Sequence, residues 1–278
     1  MSGTLYVVAT PIGNLGDLTL RAIETLKTCQ RVAAEDTRRT RALLSHLGIG
    51  GKPLDALHAH SSAHDVERMC GLLTGGESIA LVTDAGTPAV SDPGGALVTA
   101  AIAAGVSVVP IPGASAVLAA LVASGLAGDG RFRFMGFLPR DGTGRREAIA
   151  LACGTAETVI LFESPNRTTA TLRDLADATS DRTACVAREL TKVHEELVRG
   201  TLEALATDER EWRGEIAIVL GPYDPGTREE VSDAALDARI DLELGHGTHA
   251  KSIAERLSAW SGRPKRAVYA RVLARKDR

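Results

Sequence analysis

Asp36, Glu163, Glu189 and Lys192 lie at or just past the carboxyl ends of predicted strands, where a side chain can face a ligand. A carboxylate or an amine placed there can take a proton from a weakly nucleophilic hydroxyl as a new bond forms. Arg38 and Arg188 stand beside them and allow two uses: a fork for phosphate, or an ion-pair partner for the same carboxylates. The second use would join domains and do no chemistry. Metal chemistry has a thinner basis. His58-Ala59-His60 with His64 would put imidazoles on one face of a strand, but the segment also reads as a polar loop before a helix starting near Ser62. No further Cys or His cluster completes a site, so no metal is expected. Cys29, Cys70, Cys153 and Cys185 are far apart, form no CxxC pair and read as buried thiols.

Three loops are built to hold a small molecule near these groups. Ala9-Thr10-Pro11-Ile12-Gly13-Asn14 follows the apolar run Leu5–Val8, Asp84-Ala85-Gly86-Thr87-Pro88 with Ala89–Gly95 follows Ala80–Val82, and Pro110–Ala116 follows Val106–Val109. Gly and Ala let backbone N–H and C=O groups come close to a ligand, and Pro fixes the local path. No GxGxxG turn follows the first strand, which disfavours a hydride-transfer enzyme, and no Lys-Ser/Thr ends the central loop as in a triphosphate site.

The elements that position these loops alternate. Strands are predicted over Leu5–Ala9, Arg31–Glu35, Leu54–Leu57, Ile79–Thr83 and Ser107–Ile111, with helices over Thr19–Thr28, Arg38–Leu47, Ala63–Leu73, Gly95–Ala104 and Ser115–Ser124. That order predicts a mostly parallel sheet covered on both faces. Asp17 or Thr19 caps the first helix and Ser115 the last. Gly125–Gly130 breaks the pattern, giving an N-terminal α/β domain over 1–125. A second α/β domain, 131–222, has strands over Arg133–Phe137, Thr158–Phe162, Ala184–Arg188, Glu195–Gly200 and Glu215–Leu220 and helices over Gly144–Cys153, Arg167–Ala178 and Leu202–Asp208. Thr191–Gly200 leaves no room for a crossover helix, so this sheet is mixed. After the break Gly221–Gly226, a basic helical module over 228–278 holds helices at Ser232–Leu244, Thr248–Ser261 and Pro264–Arg275.

These loops, with Ala33-Ala34-Glu35-Asp36-Thr37-Arg38 and Ala187-Arg188-Glu189-Leu190-Thr191-Lys192, resemble the tetrapyrrole methylase superfamily from about Leu5 to Gly221. Their order and wording are closest to its branch acting on RNA of the small ribosomal subunit. The resemblance implies the two-domain α/β fold of that superfamily and S-adenosylmethionine as methyl donor. It also implies transfer to the ribose 2′-hydroxyl of a cytidine in the decoding region, and a homodimer. Pro11, Ala85, Gly86, Thr87, Val90, Ser115 and Ala116 match its donor-binding loops, and Phe162 or Glu163 with Leu190 the opposite wall, so the donor is expected between the domains. Gly86-Thr87-Pro88 stands where many members have Gly-Asp-Pro, which puts a hydroxyl in place of a carboxylate. Two other readings stay open: a methylase of a tetrapyrrole or protein acceptor, and a ribosome-binding factor without turnover.

Charge is uneven along the 278 residues. The chain carries a net −3, yet residues 245–278 hold nine Lys or Arg against two acids while the remainder is at −10. Such a tail can neutralise phosphates, or it can be a solvated helix. Arg38, Arg39 and Arg41, then Arg140, Arg145 and Arg146, then Lys265 and Arg266 are the candidate RNA contacts. Aromatic residues make up 3% of the chain, leaving few platforms for stacked bases, so shape and phosphate contacts should dominate. No apolar run of membrane length and no signal-like start is present, and a cytoplasmic location is expected.

Overall fold

A computed structural model describes residues 2–223 and 231–276, apart from the side chain of Ala259. The break's last residues, 224–226, the module's first, 228–230, and its last two lie outside them. Strands β1 (Thr4–Val8), β2 (Arg31–Ala34), β3 (Leu54–Ala56), β4 (Ile79–Val82) and β5 (Ser107–Ile111) alternate with helices α1 (Leu20–Thr28), α2 (Thr37–His46), α3 (Ala63–Thr74) and α4 (Gly95–Ala103), followed by α5 (Ala116–Ser124). The sheet runs β3-β2-β4-β1-β5 and every pairing is parallel.

Period-two alternation divides each strand between two cores. Val8, Val32, Ala34, Ala80 and Val82 face a cluster with Ala22 and Leu26 of α1 and Leu44 of α2. Leu5, Ala33, Ile79 and Leu81 face Met69 and Leu73 of α3 and Leu97 and Ala101 of α4. Parallel strands need such crossovers, and burial on both faces explains the continuous apolar runs. Thr19 caps α1 by accepting from the Ala22 N–H, and Ser62 forms a reciprocal capping box with Asp65 at the start of α3. At α5 the Ser115 hydroxyl accepts from the Leu118 N–H.

The second sheet runs β6-β7-β10-β8-β9, from β6 (Phe132–Phe137), β7 (Thr158–Glu163), β8 (Thr183–Arg188), β9 (Glu196–Thr201) and β10 (Ile216–Leu220). The β6–β7 pair is parallel and the other three are antiparallel, the mixed sheet expected from the short β8–β9 connection. One face packs on α6 (Gly142–Gly154), α7 (Pro165–Thr179) and α8 (Leu202–Thr207) through Val159, Leu161, Val186, Ile218, Leu172 and Leu205. Arg182 is 1% exposed in this half. It donates to the carbonyls of Ala152, Glu157 and Gly221 at 2.7–2.8 Å and lies over the Tyr223 ring.

Helices α9 (Asp233–Gly245), α10 (Ala250–Ser261) and α11 (Lys265–Lys276) close around Leu236, Ile240, Ile253, Leu257, Val268 and Val272. Contacts divide the chain into two units: Met1–Ala119 with Glu189–Glu195, and Ala120–Arg188 with Glu196–Arg278. The segment between β8 and β9 thus groups with the first sheet, and the three terminal helices group with the second. Among the described residues no helix is long and apolar enough to cross a membrane.

Candidate functional site

Strands β1 and β4 are neighbours, but the chain leaves them for opposite faces: α1 packs in one core and α4 in the other. Loops that part in this way open a crevice at the carboxyl ends of the strands, the usual ligand position in open α/β sheets. Backbone bonds tie the two loops together across it. Thr10 N–H donates to Gly86 O at 2.8 Å and Gly86 N–H to Thr10 O at 3.0 Å, and the buried Thr10 hydroxyl donates to Thr83 O. Gly86 has φ +87°, and an added Cβ would lie 3.4 Å from Ile12 Cγ2, so a side chain here is strained and leaves little space. Thr87 donates to Ala114 O at 3.2 Å, joining the central loop to the third one and leaving its oxygen lone pairs free to accept. Pro11, Ala85, Thr87, Ser115 and Ala116 are half-buried around these loops and Val90 is exposed.

A cavity of about 300 Å3 opens beside these loops, lined by Thr10, Pro11, Leu15, Thr83 and Asp84 and by Arg39, Thr40, Ala42, Leu43 and His46 from α2. Its charged groups belong to a cluster at the ends of β2 and β4. The Thr83 hydroxyl and the Asp84 N–H donate to Glu35, Asp84 accepts from the Asp36 N–H, and Arg39 Nη1 stands 3.4 Å from Asp84 Oδ2. Burial, then the nearby Glu35 carboxylate, raises the Asp84 pKa above the usual carboxylate range, while Arg39 pulls it back. Burial and Glu35 also push Asp92, in the same loop, up to about 6. Asp36 differs. It caps α2, accepting the Arg38 N–H at 2.7 Å and pairing with the Arg38 guanidinium, and that bond holds its pKa down. Of the two carboxylates at the ends of β2 and β4, Asp84 has surroundings that favour the protonated form and Asp36 has surroundings that oppose it. Asp84 and His46 are not among the residues that the sequence singles out for chemistry; the signal for Asp84 is its place as the first charged residue after β4.

Glu189 and Lys192 pair at 2.8 Å within the segment after β8. Glu189 has φ +51° and Thr191 φ +67°, a bend outside the usual range for side-chain-bearing residues. The segment packs on the first loop: a Cβ at Gly13 would fall 2.4 Å from Lys192 Cγ and 3.0 Å from Thr191 Oγ1. Leu190 is buried, and the Thr191 hydroxyl is buried without a hydrogen-bond partner among the described residues.

In the second unit, Phe162 packs edge-on to Phe134 with centroids 4.9 Å apart and lies 5.7 Å from Phe137. The Glu163 side chain is 1% exposed. It accepts from the Thr171 hydroxyl and the Ser164 N–H and faces Arg167, so it fastens the end of β7 to α7. Arg145 is similarly engaged, with Asp174, Thr171 and the Pro139 carbonyl. Arg188 donates to Arg213 O and pairs with Glu196. Arg41, Arg140 and Arg146 are exposed.

Much of the tail's positive charge is matched inside the helical trio. Arg271 bonds Asp233 and Asp237, Arg275 bonds Asp237 and Asp241, Arg263 bonds Asp233, Arg256 bonds Glu243 and Lys265 bonds Glu255. Asp233, Asp237 and Asp241 of α9 sit every fourth residue, opposite Arg271 and Arg275 at the same spacing on α11. The acids of α9 lie before residue 245 and their partners after it, so the excess charge of 245–278 is largely offset within the module. Arg266 is exposed and pairs with no carboxylate among the described residues. His58 Nδ1 accepts from the His60 N–H at 3.2 Å, and among the described residues no group of three His, Cys, Asp or Glu is set to hold a metal ion.

Residues 4–206 match the family model Tetrapyrrole (Corrin/Porphyrin) Methylases. The chain is 43% identical over 98% of its length to a Ribosomal RNA small subunit methyltransferase I of Micromonospora olivasterospora, covering 87% of that protein. It is 46% identical to the protein of the same name from Xylella fastidiosa, covering 96% of this chain and 98% of that one. Among solved structures it resembles the methyltransferase CobJ at a TM-score of 0.60 and 19% identity, over 80% of this chain and 95% of that one. It also resembles the uroporphyrin-III C-methyltransferase of Thermus thermophilus complexed with S-adenyl homocysteine, at a TM-score of 0.56 and 20% identity, over 79% and 97% of the two chains. The chain belongs to the tetrapyrrole methylase family, and within it to the group of ribosomal RNA small subunit methyltransferase I proteins.

Proposed function

We propose that this chain transfers a methyl group from S-adenosylmethionine to the RNA of the small ribosomal subunit, at the ribose 2′-hydroxyl of a cytidine in the decoding region. The observation that carries methylation of that RNA is identity above 40% along nearly the whole chain with relatives named for it; the cytidine 2′-hydroxyl follows from the motif resemblance. Such a substrate places the enzyme in the cytoplasm, with the ribosome.

The loops at the β1–β4 crevice suit the donor by their chemistry. Gly86 keeps the backbone bare, the Thr87 oxygen can accept from a ribose hydroxyl, and the Thr191 hydroxyl, buried without a hydrogen-bond partner among the described residues, belongs to a segment seated on the first loop. Pro11, Ala85, Gly86, Thr87, Val90, Ser115, Ala116 and Leu190 would hold it. When bound, the donor supplies a methyl carbon on a cationic sulfur that leaves as a neutral thioether. What remains for the protein is alignment, which can lower the barrier by about 7–11 kcal/mol, and removal of the hydroxyl proton, a factor of about 10²–10⁴. Arg39, Arg41, Arg146 and Arg266 are exposed cations available to phosphates.

The test is the mass of small-subunit rRNA from a strain lacking the gene. One methyl should be missing, restored by the wild-type gene and not by Gly86→Arg. Unchanged rRNA in the deletion strain sinks the reading.

A further inference from the structure

The cavity beside the crevice has three unlike parts. Pro11, Leu15 and Leu43 give it apolar lining, Arg39 and His46 come from α2, and Asp84 directly precedes Ala85-Gly86-Thr87 in the chain. At about 300 Å3 it is at the lower limit of ligand cavities, with room for one nucleoside. A base lifted from its stack fits the apolar side, a phosphate diester fits the guanidinium, and a sugar hydroxyl fits the carboxylate. We propose that this cavity seats the acceptor nucleotide, with Arg39 as its phosphate ligand and Asp84 as the group that receives the hydroxyl proton. The inference rests on the reading that the chain methylates an RNA hydroxyl.

In the step, the sugar oxygen gives an electron pair to the new O–C bond, the C–S bond of the donor breaks with its pair left on sulfur, and the proton passes to an Asp84 carboxylate oxygen. The surroundings of Asp84 suit that task. Burial, then Glu35 from the end of β2 and the Asp36 carboxylate, favour its protonated form. Arg39 and the Asp36 N–H favour the ionised form. The Arg39–Asp84 contact is loose at 3.4 Å and the Arg39 side chain is 68% exposed. A phosphate that draws Arg39 away therefore raises the proton affinity of Asp84 as substrate arrives, so docking and proton acceptance are linked.

Two readouts test this. In histidine-labelled protein titrated with cytidine 5′-monophosphate, the His46 ring resonance should move, and Leu43→Trp, which fills the cavity, should abolish the movement while S-adenosylhomocysteine still binds. On intact small subunits, Leu43→Trp and Arg39→Ala should each raise KM about tenfold, the loss expected for a cavity contact or a charge-assisted bond. Asp84→Asn, which keeps the bond from the Asp36 N–H, should lower kcat about 100-fold with little change in KM. Arg39→Ala should also move the acid limb of the pH profile upward. A His46 resonance that stays fixed in the wild type, a wild-type KM in Leu43→Trp, or a wild-type kcat in Asp84→Asn overturns the proposal. Wild-type protein that leaves small subunits unmethylated overturns the functional reading instead.

Discussion

Replacing Arg182 by Met tests how the second unit is held together. The guanidinium is 1% exposed and its three hydrogen bonds all go to main-chain carbonyls, those of Ala152, Glu157 and Gly221. Burial lowers its pKa, and no carboxylate is among the causes of the shift. Methionine keeps most of the volume but strands three acceptors, each at a cost of about 1–3 kcal/mol. Removing a buried cation returns part of its own desolvation penalty, so the net loss should be about 3–5 kcal/mol, a large share of a typical stability of about 5–15 kcal/mol. Arg182→Lys keeps the charge, but a single ammonium cannot span three carbonyls in the guanidinium's plane, and about half the loss should remain. Urea unfolding followed by tryptophan fluorescence reads the right part of the molecule, because Trp212 and Trp260, the only two tryptophans, both lie in the second unit. If Arg182→Met unfolds within about 1 kcal/mol of the wild type, the burial penalty had already cancelled the bonds and the reasoning fails.

Gly94→Ala should cost about 2–4 kcal/mol, since φ is +120° there and the new Cβ would sit 2.8 Å from Leu81 Cδ2; thermal unfolding with S-adenosylhomocysteine present and absent measures it. Asp92, pushed up to about 6, binds a proton more tightly folded than unfolded, so the folded state gains stability as pH falls through 6 toward 4. Asp92→Asn should therefore raise the unfolding midpoint relative to wild type at pH 8, with the difference vanishing near pH 4. Arg266→Ala should lower the salt dependence of small-subunit binding by about one ion. Arg271→Ala, whose cation is already committed to Asp233 and Asp237, should leave that slope unchanged.

The strands of both sheets were legible because each apolar run ends at a residue that cannot continue it. Val82 is followed by Thr83-Asp84 and Ile111 by Pro112, while Pro110 is tolerated within β5 because that strand is an edge, pairing among the described residues only with β1. The loops of the crevice were legible for the same reason. What one dimension hides is partnership. Glu163 reads as a residue facing a cleft until α7 brings Thr171 back to it, and Lys265 reads as a phosphate ligand until Glu255 is placed beside it. His46 and Arg39 belong to an ordinary amphipathic helix, and only the packing of α2 on β2 brings them to the cavity that Asp84 also lines. The bend at Glu189 and Thr191 had no sequence signal, since neither position is glycine.

Residues 189–195 complete the first unit although they are made long after it. On a ribosome adding about 5–20 residues per second, the nascent first sheet would wait several seconds for the piece that seats on Gly13. Until then its ligand loops are unfinished. Dividing the gene after Ala119 would fix that state permanently, so the halves of this enzyme can be expected to regain donor binding only when supplied together.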